Sequence, residues 1–259
     1  MAKFIPVKEH KEFQELPQSF QNQIIQFVRH FDKEGTLFGK VARNAIKIKD
    51  IEGVTVNVKA FKIPHLVNQF VYKYLRKSKA RRSFENAKYL LEKGIGTPKP
   101  MAYFEYFNTI GLKKSYYISI HQECDLTFRE LITNPDYPNR KFILRSMAEF
   151  TFKLHENNIL FKDHSPGNTL IKKSENNYDF FLVDLNRMEF KLLSFEERIK
   201  NFSRLTPKKE MIKVMSERYA ELIDKNPDDV FNLMWQYTQA FQKKFHTKKR
   251  IKKKFGLKK

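Results

Sequence analysis

The chain has a single cysteine, Cys124, in 259 residues. That count excludes an internal disulfide framework and a cysteine-based zinc cluster, and it fits a reducing compartment. His65, His121, His155 and His164 share no metal-ligand spacing, so no zinc site is expected. No apolar run approaches the ~18–20 residues of a membrane span. The stretch Met1–His10 lacks the apolar segment of a signal peptide, and the expected location is the cytoplasm. Glycine is scarce, at eight residues, with no Gly/Ser linker, no internal repeat and no G-x-G-x-x-G. A G-x-S-x-G nucleophile elbow is also missing, which argues against a Ser-His-Asp hydrolase. Acidic residues are few: 29 Asp and Glu face 50 Lys and Arg, a formal net charge of +21.

What is present suits a folded catalytic unit. Hydrophobic residues make up 41% of the chain and include 25 Phe, enough for a sizeable core. The basic excess is widespread. Residues 243–259 hold ten Lys or Arg and no acid, and removing those ten from +21 leaves +11 on the rest. A field of that sign attracts polyanions, whether lipid headgroups, nucleotides or nucleic acid. At about 1 kcal/mol per basic residue near an anionic bilayer, peripheral docking is within reach. An anionic membrane surface is the expected partner and nucleic acid is not.

Periodicity gives an α+β order. Phe20, Ile24, Phe27 and Phe31 mark an amphipathic helix within 17–31. Residues 36–61 read as strands: Ala45–Lys49 alternates, Glu52-Gly53 turns, and Val54–Phe61 alternates again. A helix over 79–93 should end at Gly94, and 101–107 with 115–121 form a strand pair. A long helix covers about 139–156, short strands lie near 169–172 and 180–183, and helices run from 194 onward. Strands first and helices later predict two lobes. The expected division is an N-terminal nucleotide-binding lobe over 1–121, a catalytic lobe over 122–241 and a basic tail over 242–259.

The chemistry concentrates in Leu160-Phe-Lys-Asp163-His-Ser-Pro-Gly-Asn168 and in Phe180-Phe-Leu-Val-Asp184-Leu-Asn186. Phosphoryl transfer to a hydroxyl needs one carboxylate on the attacking oxygen and further oxygen ligands for Mg²⁺ on the ATP phosphates. Asp163 suits the first role; Asn168 and Asp184 suit the second, since hard cations prefer oxygen. The Asp163–Asn168 spacing alone equally describes an Asx-rich turn. Asp184 strengthens the catalytic reading, because a carboxylate ending an apolar strand is costly unless paired or metal-bound. Upstream, Val54, Val56 and Val58 share one strand face and Lys59 lies on the other, which directs Lys59 toward a nucleotide. Glu85 on the following helix is its candidate partner. Gly35–Asn44, with Arg43, stands where a phosphate-cradling loop is expected; a tight turn without a ligand fits it as well.

Lys77-Ser-Lys-Ala-Arg-Arg-Ser-Phe-Glu85-Asn-Ala, Gly94-Ile-Gly-Thr-Pro-Lys-Pro, Phe161-Lys-Asp163-His-Ser-Pro-Gly-Asn168 and Val183-Asp184-Leu-Asn186 together resemble the bacterial lipopolysaccharide core sugar kinases, the Kdo and heptose kinases, over about residues 35–225. The resemblance implies a protein-kinase-like fold and ATP-dependent phosphorylation of an inner-core sugar hydroxyl on a lipid-linked acceptor of lipid A–Kdo type. It implies Asp163 as base, Asn168 and Asp184 as Mg²⁺ ligands, and Lys59 with Glu85 as the phosphate-positioning pair. His121–Asp125, with Glu123 at its centre, becomes the hinge that meets adenine through its backbone. The chain departs from the pattern at Phe161, where a His is usual, at Asp184-Leu-Asn186 for Asp-Phe-Gly, and at Ser165, where protein kinases carry Lys; no Ala-Pro-Glu follows. These departures argue against a protein substrate. Two rivals remain: a soluble small-molecule kinase of aminoglycoside or choline type, and a non-catalytic kinase-like protein gripping RNA or membrane through its basic surface.

Overall fold

The structure is a computed structural model that describes residues 3–5, 11–39, 44–254 and 256. Arg43, and with it most of the expected phosphate loop, lies outside the described residues. Two compact units follow one another, Met1–Glu123 and Cys124–Lys259.

The N-terminal unit comprises β1 (Lys3–Ile5), α1 (Lys11–Gln14), α2 (Gln18–Arg29), β2 (Thr36–Leu37), β3 (Ala45–Ile51), β4 (Val54–Phe61), α3 (Leu66–Tyr74), α4 (Lys79–Glu92), β5 (Pro100–Phe107) and β6 (Leu112–Ile120). Its six strands form one antiparallel sheet in the order β1-β5-β6-β4-β3-β2. Glu52 and Gly53 both take positive φ, 50° and 80°, the conformation of a two-residue hairpin turn between β3 and β4. The period-2 alternation of β4 then sorts its side chains. Val56 and Val58 join Phe20, Ile24, Phe27, Phe104 and Ile118 in a core under α2. Phe61 turns the other way and packs with Ala80 and Phe84 of α4 and with Tyr103. Lys59 shares the parity of Phe61 and so stands on the α4 side.

Helix α4 is capped at both ends by its own sequence. Ser78 Oγ accepts from Arg81 N–H at 3.0 Å. At the other end Gly94 takes φ 64°, and the amides of Gly94 and Ile95 return to the carbonyls of Leu91 and Leu90, a Schellman closure.

The C-terminal unit comprises β7 (Leu126–Thr127), α5 (Phe128–Thr133), α6 (Arg140–Glu156), β8 (Ile159–Phe161), β9 (Thr169–Ser174), β10 (Asn177–Leu182), β11 (Met188–Phe190), α7 (Phe195–Asn201), α8 (Lys209–Ile223) and α9 (Pro227–Lys254). A buried cluster from α5 through α9, including Ile143, Met147, Ile199, Phe202, Met215, Tyr219 and Met234, forms its core. Two small antiparallel pairings, β10-β9-β7 and β11-β8, flank the loops that carry the acidic motifs. The architecture is the mixed one expected, with an antiparallel sheet first and a helical part after it.

Candidate active site

Asp163 follows β8 directly. Strand β8 is fixed by its pairing with β11, Met188 opposite Phe161, and by the Lys162 amide donating to Arg187 O at 3.1 Å. Phe161, at the position where the family pattern has His, is fully buried. Asn201 Nδ2 donates to the Phe161 carbonyl at 2.9 Å, and Asn201 Oδ1 in turn faces His155 Nε2 at 3.2 Å. His155 Nδ1 meets Tyr219 OH at 2.7 Å. The strand that presents Asp163 therefore rests on a buried polar chain from α6, α7 and α8.

After Asp163 the backbone makes a short 3₁₀ turn at Pro166–Asn168, opened by proline, whose missing N–H and fixed φ suit that position. Asn168 Nδ2 donates to the Asp163 carbonyl at 2.8 Å and closes the loop. The Asn168 carbonyl accepts from Val183 N–H at 3.0 Å. That bond ties the exit of β10, and hence Asp184, to the same loop. Asp184 sits at φ 62°, a left-handed conformation that a non-glycine residue adopts at a cost and that recurs at functional sites. Its Oδ1 accepts from Asn186 Nδ2 at 2.7 Å. Asp163, Asn168 and Asp184 are thus brought together within the C-terminal unit.

The donor set suits magnesium. With the Asn168 amide nitrogen committed to the Asp163 carbonyl, its side-chain oxygen is the atom left for a cation; that amide oxygen and the Asp184 carboxylate are both hard ligands. Among the described residues no group of three or more His, Cys, Asp or Glu could hold a metal. Mg²⁺ usually takes one or two carboxylates and completes its shell with water and substrate phosphates, so two protein ligands are enough.

Two arginines that no motif announces reach Asp163. Arg204 Nη1 donates to Asp163 Oδ1 at 2.9 Å and to the Lys162 carbonyl at 2.8 Å, with its guanidinium 5.5 Å from the Phe241 ring centre. Arg187 Nη1 donates to the same carboxylate oxygen at 3.2 Å. Both pairings span more than twenty residues, and Asn201, Arg187 and Arg204 gave no local sequence signal.

The remaining predicted residues belong to the N-terminal unit or the connection. Lys59 Nζ lies 5.4 Å from the Phe61 ring centre. Glu85 accepts from Lys77 Nζ and from Arg81 Nε, each at 2.9 Å. Partial burial pushes the Glu85 carboxyl up, but these two cations outweigh it and hold the group below its ordinary pKa. Glu123 is exposed at the last position of the N-terminal unit, and its carbonyl accepts from Gln122 Nε2 at 3.0 Å.

Residues 58–226 match the family model described as the lipopolysaccharide kinase (Kdo/WaaP) family. No curated protein matches the chain. A solved structure described as WaaP in complex with acyl carrier protein superposes with a TM-score of 0.60 at 12% sequence identity, covering 93% of this chain and 98% of that one. At that identity the likeness establishes the fold. As many as 1222 solved chains match, the breadth expected of a fold that hosts many activities, so the site residues must carry the functional reading.

Proposed function

Because this chain belongs to the lipopolysaccharide kinase (Kdo/WaaP) family, and is thereby a phosphotransferase acting on a sugar hydroxyl, we propose that it moves the γ-phosphoryl group of ATP to a Kdo or heptose hydroxyl of inner-core lipopolysaccharide, at the inner face of the cytoplasmic membrane. The observation that carries this reading is the closed loop in which Asn168 bonds Asp163 and Val183 bonds Asn168, with Asp184 at its exit.

In this reading Asp163 orients the acceptor hydroxyl and takes its proton as the oxygen attacks phosphorus. Arg204 fixes the carboxylate through one oxygen, which leaves the other for the hydroxyl. Asn168 and Asp184 are the residues that would hold Mg²⁺, whose chemistry when bound is to neutralise charge on the ATP phosphates. Lys59 is assigned to phosphate oxygens and Glu123 to the backbone hinge beside adenine; Glu85, here engaged by Lys77 and Arg81, is assigned to position Lys59 once it exchanges one of those cations for it. Arg187 is suited to an anionic group on the acceptor sugar.

The test is incubation with labelled ATP, Mg²⁺ and purified lipid A–Kdo acceptors, with and without heptose, followed by mass spectrometry. One added phosphate on a single acceptor class supports the reading and names the sugar. Asp163→Asn should lower kcat by about 10²–10⁴ while leaving the fold intact. Wild-type turnover in that variant removes Asp163 from the chemistry.

A further inference from the structure

The segment that joins β4 to α4 carries a pattern that phosphate transfer does not use. Between β4 and α4, residues 62–78 hold four Lys or Arg and no Asp or Glu. Helix α3 lies in the middle of this stretch and is inverted relative to an ordinary surface helix. Its polar Gln69 is buried and donates from Nε2 to the Pro64 carbonyl at 2.8 Å. Leu66, Val67, Phe70 and Tyr74 are 64%, 76%, 53% and 57% exposed. These four recur at helical spacing and so share one outward face. Ile63 before the helix and Leu75 after it extend the exposed apolar surface.

The helix is held in this orientation. Gly111, in the β5–β6 hairpin, lies so near that an added Cβ would stand 2.3 Å from the Gln69 carbonyl oxygen. Lys73 Nζ donates to the Asn108 and Thr109 carbonyls of the same hairpin at 3.1 and 2.9 Å. Contiguous exposed apolar surface of this kind marks an interaction site. Lys62 and Arg76 are exposed beside it, and so is Lys77, whose ammonium is paired with Glu85. An apolar helical stripe flanked by exposed cations matches the headgroup boundary of an anionic bilayer, where the apolar face enters the acyl layer and the cations meet phosphates.

We propose that α3 is an interfacial anchor: Leu66, Val67, Phe70 and Tyr74 enter an anionic bilayer while Lys62 and Arg76 contact its phosphates. This deepens the proposed function, because it names the surface on which a lipid-linked acceptor is met. It needs neither ATP nor acceptor to be tested.

The experiment is sedimentation of the full chain with vesicles of phosphatidylethanolamine and phosphatidylglycerol, against phosphatidylcholine alone. Wild type should partition onto the anionic vesicles. The triple variant Leu66→Ser, Val67→Ser, Phe70→Ser should partition about a hundredfold less, at roughly tenfold for each of two side chains fully withdrawn from water or their equivalent in partial burial. Unchanged partitioning overturns the proposal, as does loss of a protein partner through these three residues with no vesicle binding by wild type. Should the triple variant unfold, Phe70→Trp decides instead: a blue shift of the added emission on vesicle addition supports insertion, and an unshifted emission refutes it. The triple variant should keep wild-type turnover on a detergent-dispersed acceptor. Absence of transfer in both proteins, with the vesicle difference intact, would sink the kinase assignment and leave the anchor standing.

Discussion

Asp163 receives two guanidinium groups on one carboxylate oxygen, and the two differ in how firmly they are held. Arg204 bonds a backbone carbonyl as well and rests on Phe241, whereas Arg187 makes a single longer bond and is mostly exposed. Hydrogen bonds to charged groups are worth about 1.5–3 kcal/mol, so each loss should be measurable. Arg204→Ala should lower kcat about tenfold to a hundredfold with little change in KM, because it frees the carboxylate to rotate. Arg187→Ala should raise KM for an anionic acceptor about tenfold and spare kcat; steady-state kinetics on one acceptor separates the two. The buried imidazoles act on stability. Burial pushes the pKa of His155 down to about 4 and of His164 to about 3. For His164 burial is the largest effect and the neighbouring His155 adds to it, while Asn201 opposes both without meeting either ring nitrogen in a hydrogen bond. The unfolded chain takes up these protons near the ordinary histidine pKa of about 6.5. The stability is complete above that value and falls as pH drops toward 4 and 3, by about 1.4 kcal/mol per pH unit for each ring. His164→Leu should therefore move the acid unfolding midpoint to lower pH. His155→Leu removes one hydrogen-bond partner each from Tyr219 and Asn201 and should destabilise the unit at pH 7. Trp235, packed against this core, reports both by fluorescence.

Helices α2, α4 and α6 were legible because their apolar residues point at a core with a 3.6 period. The β3–β4 hairpin was legible because alternation and the Glu52-Gly53 turn agree. Helix α3 was not read, although Leu66, Val67, Phe70 and Tyr74 carry helical spacing: nine residues between Pro64 and Ser78 give a short pattern, and only the structure shows that its apolar side faces outward. Helix α5 was also missed, although Thr127 and Glu130 form a capping box whose T-x-x-E spacing is a local signal. The β8–β11 pair is three residues long on each side, too short for alternation to stand out. Asp163, Asn168 and Asp184 were readable from spacing; Arg187, Arg204 and Asn201 reach the same place only through tertiary structure. The placement of α3 itself can be tested at Gly111. A Cβ there meets backbone, not a flexible side-chain end, so Gly111→Ala must displace α3 or the hairpin tip. Overpacking of this sort costs about 1–3 kcal/mol, and chemical denaturation of the variant should show a loss in that range. Hydrogen exchange should localise the loosening to α3 and residues 108–112; an unchanged midpoint would mean that the two segments are not in close contact.

At the scale of the whole chain the net charge of +21 and the apolar face of α3 are separable contributions to binding an anionic surface. The ten basic residues of 243–259 begin where α9 has outrun its core: Val230, Met234 and Thr238 are its buried positions, and the helix continues to Lys254. Charge contributions shrink as salt shortens the screening length from about 10 Å at 0.1 M to about 3 Å at 1 M, while withdrawal of apolar side chains from water does not weaken with sodium chloride. A salt series in the vesicle assay therefore resolves the two terms. Ending the chain at Gln242 removes ten charges, and its partitioning should fall less steeply with salt than that of wild type. The Leu66, Val67 and Phe70 serine variant keeps every charge, and its curve should lie below wild type and parallel to it. At high salt the truncated and full chains should converge, because what remains is the apolar contribution they share. A truncated chain with the wild-type slope would show that residues 243–259 do not meet the lipid, and the salt dependence would then have to come from the cations of 53–84.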